Sequence, residues 1–247
     1  ASAPCLSGYN VVSSILRGIG DSKRPMYFIA ISCCVNILGD LLLVGGFRLG
    51  AAGAAAATVA AQAISFLCSL IALKKSGLPF PVIVRPERGK LVKVLQLGVP
   101  VALQDVLTTL SFIIITVVGN LIGLDQSAAV GVVERIIGFG MLVPIAFMSA
   151  ISAMTAQNIG AGRQDRAISA MKYGLAYSLV FGVLMLAALQ IFPQFAMGLF
   201  IDDPAVIGHG ALYLRTYSFD CLMVCVVFCF NGFFSGCGRT GFTLANS

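Results

Sequence analysis

Charge is what this sequence has least of. Asp, Glu, Lys and Arg make up 11% of its 247 residues, against about 25% in soluble domains. That scarcity, a mean hydropathy of +0.96 and a hydrophobic content of 58% exclude an ordinary soluble core. Strand-like alternation of apolar and polar residues is also missing, which argues against a membrane β-barrel. His209 is the one histidine, and none of the eight cysteines forms a C-x-x-C pair. There is no H-E-x-x-H, no G-x-S-x-G and no carboxylate pair beside a histidine. An enzyme is therefore not expected. Cys221, Cys225 and Cys229 share a helix face at four-residue spacing. They read better as small packing residues in a helix interface than as a soft-metal site.

What the sequence does have is a succession of apolar runs of about 20 residues, the length that crosses a bilayer as a helix. The first is the tail of a helix ending near Leu16. Six more follow at about 26–46, 51–73, 95–122, 127–156, 168–192 and 207–234. The fold class is an all-α polytopic membrane protein, and the lipid bilayer is its first partner. The longer runs must tilt or extend beyond the hydrocarbon.

The net charge of +6 is distributed by loop. One side carries Arg17, Lys23 and Arg24, then Lys74, Lys75, Arg85, Arg88, Lys90 and Lys93, then Arg163, Arg166 and Lys172, then Arg239. The other side has Arg48 and Arg215, while Arg135 falls within a span. This alternation orients the basic loops to the cytoplasm. It also accounts for the positive charge without a nucleic-acid partner. The longest basic connection, 74–94, contains Pro79, Pro81 and Pro86, which oppose a helix and favour an extended linker. It divides the chain into 1–73 and 95–247. The sequence begins without Met or a basic leader, so no signal peptide is expected, and both ends read as cuts in a longer protein.

Asp40 is the residue that needs a reason. It stands near the end of the run Met26–Gly46. A carboxylate in hydrocarbon costs at least about 2.5–3.5 kcal/mol. Asn36, four residues earlier, projects from the same helix face. If the span starts at Met26, Asp40 lies about 21 Å along it at 1.5 Å per residue. Thr58, in the span that re-enters near Ala51, lies about 10 Å from the opposite side. In a core about 30 Å thick the two depths nearly coincide. Carboxylate, amide and hydroxyl oxygens suit a hard ion such as Na⁺. Desolvation makes a buried carboxylate hold its proton more tightly, which suits a proton carrier. Asp105, Glu134 and Asp220 are the other acids within spans. They are candidates for a substrate contact or a second cation site, or for structural pairing. Gly50, Gly53 and the alanines of 51–57 form a small-residue surface on which helices can approach closely.

Residues 16–22, L-R-G-I-G-D-S, and 234–240, F-S-G-C-G-R-T, match at an offset of 218, each at the end of an apolar helix. Either they mark an internal repeat, as transporters often contain, or they are independent glycine helix stops.

The stretch Leu16–Pro25, the pair Asn36-x-x-x-Asp40, Gly50–Thr58, the motif Q-N-I-G-A-G-R at 157–163 and the 218-residue offset together resemble the multidrug and toxic compound extrusion (MATE) family. The resemblance covers essentially the whole chain. It implies a two-lobe bundle of twelve helices, of which this chain would hold the end of the fourth through the tenth. It also places cation-site residues at Asn36, Asp40 and Thr58, with one further aspartate in a first helix outside this sequence. Some sodium-coupled members use acids in the seventh and tenth helices. Asp220 falls about one turn before the matching tenth-helix position, and Asp105 has no clear match in the seventh.

The implied activity is secondary-active efflux of small organic, often cationic compounds by H⁺ or Na⁺ antiport with alternating access. No cofactor beyond the coupling ion is expected, and the whole protein is expected to be a monomer in the inner (plasma) membrane. The alternative is a lipid-linked saccharide flippase of a related fold. That would need a strongly cationic central cavity, whereas the basic residue within the spans is chiefly Arg135.

Overall fold

The computed structural model describes residues 3–75 and 88–245, and every regular element among them is helical. Six helices are long and apolar enough to cross a membrane. The expected all-α polytopic membrane fold is therefore the observed one. Many large apolar side chains stay exposed; Leu121 is 82% and Phe47 73% accessible. Exposure on that scale would be a liability in water and is what lipid-facing surfaces require. The chain forms two units, Ala1–Arg85 and Pro86–Ser247.

The first unit contains α1 (Ala3–Gly18), α2 (Lys23–Asp40), a π-helical segment (Leu41–Gly46) and α3 (Gly50–Lys75). Tyr9, Val12 and Leu16 of α1 bury against Phe28 of α2 and against Phe66, Ala72 and Leu73 of α3. Helices α2 and α3 run antiparallel, and hydroxyls fasten them. The Ser32 hydroxyl donates to the Ala61 carbonyl (3.1 Å), and the Ser65 hydroxyl donates to the Phe28 carbonyl (3.2 Å). The small-residue surface is divided in use. Ala57 and Ala61 are buried, while Ala55 and Ala56 are exposed. At Gly39 an added β-carbon would meet Ala57 Cβ at 2.8 Å, so α2 and α3 approach about as closely as backbones allow.

The second unit contains α4 (Arg88–Ile122), α5 (Leu124–Gly160), α6 (Gln164–Ile191), α7 (Pro193–Gly198), α8 (Pro204–Gly236) and α9 (Thr240–Ala245). Its core joins Val133, Ile136 and Ile137 of α5 to Leu189 of α6, Met197 of α7 and Val206 and Leu214 of α8. α5 and α8 are in tight backbone contact. A β-carbon at Gly232 would lie 2.5 Å from the Met148 carbonyl oxygen, and one at Gly236 2.6 Å from that of Ser152. Gly232-x-x-x-Gly236 is thus a close-packing face, the small-xxx-small pattern of membrane helices.

Several boundaries differ from the sequence expectation. Lys74 and Lys75 complete α3, and residues 88–94 open α4, so helix takes both edges of the expected linker. Lys, Arg and Leu are good helix formers and can carry a helix past the hydrocarbon. Residues 76–87, with Pro79, Pro81 and Pro86, lie outside the described residues. Pro100 and Pro144 sit inside continuous helices. The short helix α7 was not expected. Pro193 starts it, and Pro204 starts α8, both in the first helical turn, where a missing N–H costs nothing. Asp203 caps α8 by accepting from the Ala205 N–H at 2.9 Å.

The matched glycine segments prove to be helix stops of one kind. Gly20 (φ 92°) and Gly238 (φ 74°) both adopt left-handed backbone. In each, a 6→1 hydrogen bond closes the turn, Asp21 N–H to Leu16 O and Arg239 N–H to Phe234 O, both 2.9 Å. The same turn ends α5, at Gly162 (φ 71°), with Arg163 N–H on Asn158 O at 2.8 Å. The first glycines of the two matched segments differ: Gly236 is pressed against α5, but Gly18 has open space around it.

Candidate functional site

Asn36 and Thr58 face each other across α2 and α3. The Asn36 amide Nδ2 donates to Thr58 Oγ1 at 3.3 Å, and the Thr58 hydroxyl donates to the Ala54 carbonyl at 2.9 Å. These two bonds leave the Asn36 Oδ1 atom and a Thr58 lone pair free to accept. The Gly39–Ala57 approach beside them sets the spacing.

Asp40 is half-buried at the last position of α2. Its Oδ1 atom is fully buried and has no hydrogen-bond partner among the described residues. Among those residues no bond joins it to Asn36, from which it stands one turn away. An unsatisfied buried polar atom is uncommon and calls for a cause; a proton or a bound cation would satisfy this one.

The π-helical segment begins at the next residue, and Phe47 N–H reaches back five residues to Leu42 O at 2.9 Å. π-turns are rare and recur at functional sites. Leu-Leu-Leu-Val-Gly-Gly carries no sequence signal for one. The segment hands over to Arg48, whose φ of 53° is unusual for a residue with a side chain, and then to Gly50 at 54°.

A cavity of about 300 Å³ opens beside this pair, between α1, α2 and α3. Asn36, Thr58, Tyr9, Ser32, Gln62 and Ser65 give it a polar lining, and Leu6, Ile29 and Ala61 an apolar one. Asp40 does not line it. Gln62 is the residue the sequence reading missed. Its Oε1 atom is buried and unpartnered, one turn from Thr58. The signal was available: Thr58-x-x-x-Gln62 repeats, on α3, the spacing of Asn36-x-x-x-Asp40 on α2.

In the second unit the three acids differ from one another. Glu134 is half-buried on α5, and its Oε1 lies 3.1 Å from Thr116 Oγ1 of α4, whose single proton is shared with the Phe112 carbonyl at 2.9 Å. Asp220 of α8 is exposed, one turn from the half-buried Tyr217, and Tyr213 and Tyr217 stack edge to face at 6.3 Å. Asp105 stands apart, exposed on α4 with no side-chain partner among the described residues. Arg135 is exposed and forms no ion pair among the described residues. No group of three metal-ligating His, Cys, Asp or Glu side chains occurs among them either.

Comparison with known proteins agrees with this architecture. The family model MatE matches residues 100–247. A probable multidrug resistance protein of Bacillus subtilis (strain 168), YpnP, is 31% identical over 94% of this chain and 53% of its own length. A protein of Shewanella oneidensis named FAD transporter is 29% identical over 86% of this chain and 48% of its own length. In three dimensions the chain resembles a MOP superfamily transporter from Pyrococcus furiosus, with a TM-score of 0.89 at 22% identity over 96% of this chain and 54% of that one. The chain therefore spans about half the length of the relatives it matches. A multi-pass helical membrane protein with these relatives, and with a MatE match over more than half its residues, belongs to the MatE (MATE) family of transporters.

Proposed function

We propose that the whole protein is a secondary-active exporter, in which H⁺ or Na⁺ enters and a small organic compound leaves by alternating access. The observation that carries this reading is the open oxygen of Asp40, buried one helical turn from the Asn36–Thr58 bridge. A buried carboxylate oxygen without a partner gains most from a proton or cation. Occupancy that differs between inward- and outward-facing states would shift their balance. Asn36, Asp40 and Thr58 are read as the cation-coupling residues, with Gln62 beside them. Glu134 and Asp220 are read as secondary to them, in substrate contact or in structural pairing, and Asp105 is left outside. No cofactor beyond the coupling ion enters this reading, nor any covalent chemistry. The whole protein would act as a monomer in the inner membrane, basic loops in the cytoplasm.

A relative named a multidrug resistance protein favours organic, often cationic substrates. The Shewanella relative named FAD transporter supports a second class, flavin nucleotides. The test uses the whole protein in proteoliposomes, loaded with a fluorescent organic cation or with a flavin nucleotide, under a pH gradient or a Na⁺ gradient. Export driven by one gradient and lost in Asp40→Asn identifies the ion and its site. Wild-type export by an Asp40→Asn protein would overturn the assignment. Absence of both transports would redirect the test to lipid-linked sugar translocation.

A further inference from the structure

A second groove lies well away from the acids. It has a volume of about 320 Å³ and opens in the second unit where α5 ends, α6 begins and α8 ends. Its walls are Ile159, Ile168, Phe233 and Phe234, and its polar lining includes Gln164 and Arg239. Ile159 and Ile168 remain exposed in it.

The polar groups sit at the ends of the spans. Gln164 is the first residue of the span Gln164–Ile191, and Arg239 follows the span Pro204–Gly236 by three residues. That is the depth at which hydrocarbon gives way to headgroups. The 6→1 bond of the Gly238 turn holds the Arg239 backbone in place. Arg239 and Cys237 both line the groove, so the guanidinium stands at its wall. Arg163 and Arg166 flank Gln164. None of these three arginines forms an ion pair among the described residues, where Arg24–Asp21 is the ion pair found. Asp165 does not line the groove.

We propose that this groove binds an anionic phospholipid, with its phosphodiester on Arg239 and Gln164 and its acyl chain against Phe233, Phe234 and Ile168. Arginine suits phosphate because its planar fork donates two parallel hydrogen bonds. The N-terminal N–H groups of α6 add favourable dipole at the same point. A free phosphate would use the arginine and leave the four apolar walls bare. Just outside the lining, Arg163, Asp165 and Arg166 carry a net charge of +1, which disfavours the cation of a zwitterionic lipid. Basic sites between helix ends at the membrane surface are a recurring form of anionic-lipid recognition.

The experiment is native mass spectrometry of the whole protein in detergent, titrated with phosphatidylglycerol or phosphatidylcholine of matched chains. The wild type is expected to retain phosphatidylglycerol preferentially. Arg239→Gln should lower that retention about fivefold to tenfold, Gln164→Leu should lower it less, and Arg48→Gln, in the turn between α2 and α3, should leave it unchanged. Gln164 is exposed, so its variant keeps the test informative if the arginine variant misfolds. Equal retention of the two lipids, or unchanged phosphatidylglycerol retention in Gln164→Leu and Arg239→Gln, would overturn the proposal.

Discussion

The two acid-bearing regions differ in how completely their polar atoms are satisfied. In the first unit Asp40 keeps a buried oxygen without a partner, beside an Asn36–Thr58 bridge that joins two helices. In the second, Glu134 lies within hydrogen-bond reach of the Thr116 hydroxyl, and Asp220 is exposed. Both arrangements place acids in membrane-spanning helices, yet only the first leaves a buried carboxylate oxygen open. An acid that is exposed, or that has a hydroxyl within reach, is partly stabilised already. An open oxygen bears its desolvation cost until something occupies it. For the proposed coupling role, the difference ranks Asp40 above Glu134 and Asp220.

Four substitutions and one control in the whole protein would break or sharpen that contrast. Asp40→Asn is expected to have the largest effect. Loss of a charged ligand worth about 1.5–3 kcal/mol should cut gradient-driven export in proteoliposomes by more than about tenfold. If export survives while Glu134→Gln abolishes it, the ranking is reversed. Next is Gly39→Ala, whose new β-carbon would meet Ala57 at 2.8 Å. Forcing α2 from α3 should cost about 1–3 kcal/mol, read as a lowered melting temperature. Gly131→Ala on α5, with nothing within 4 Å, is the control and should not lower it.

Thr58→Val removes the acceptor of the Asn36 amide and one oxygen ligand. At about 1 kcal/mol per hydrogen bond, it should weaken the dependence of export on coupling-ion concentration about fivefold. The smallest effect is expected for Glu134→Gln, whose amide oxygen can still accept from Thr116. Export within about twofold of wild type would agree with a satisfied, structural acid. A loss as large as that of Asp40→Asn would show that both regions couple.

Much of the fold was legible because a bilayer imposes strict demands. Apolar length, the distribution of Lys and Arg, and the absence of strand alternation sufficed to read an all-helical multi-pass protein. Asn36 and Asp40 could be set on one helix face from their four-residue spacing, and Thr58 near their depth from its distance along the next span; the structure joins Asn36 to Thr58 and leaves Asp40 apart. What escaped was whatever depends on the second helix. Gln62 looks like one polar residue in an apolar run until α1 and α2 enclose it. The π-helical segment after Asp40 has only Leu, Val and Gly to announce it. Gly18 and Gly236 occupy equivalent places in their motifs, but one stands in open space and the other against the Ser152 carbonyl.

The sequence by itself determined the class of this protein, its spans and the oxygen-bearing side chains within them. Those follow from transfer free energy and helical periodicity, which act residue by residue along the chain. Only the tertiary structure decided which oxygens are left open. That Asn36 meets Thr58 and Glu134 meets Thr116, while Asp40 keeps a bare oxygen, depends on how closely neighbouring helices approach. Glycine-to-side-chain distances of a few ångströms between helices set that approach, and no periodicity within one helix encodes them.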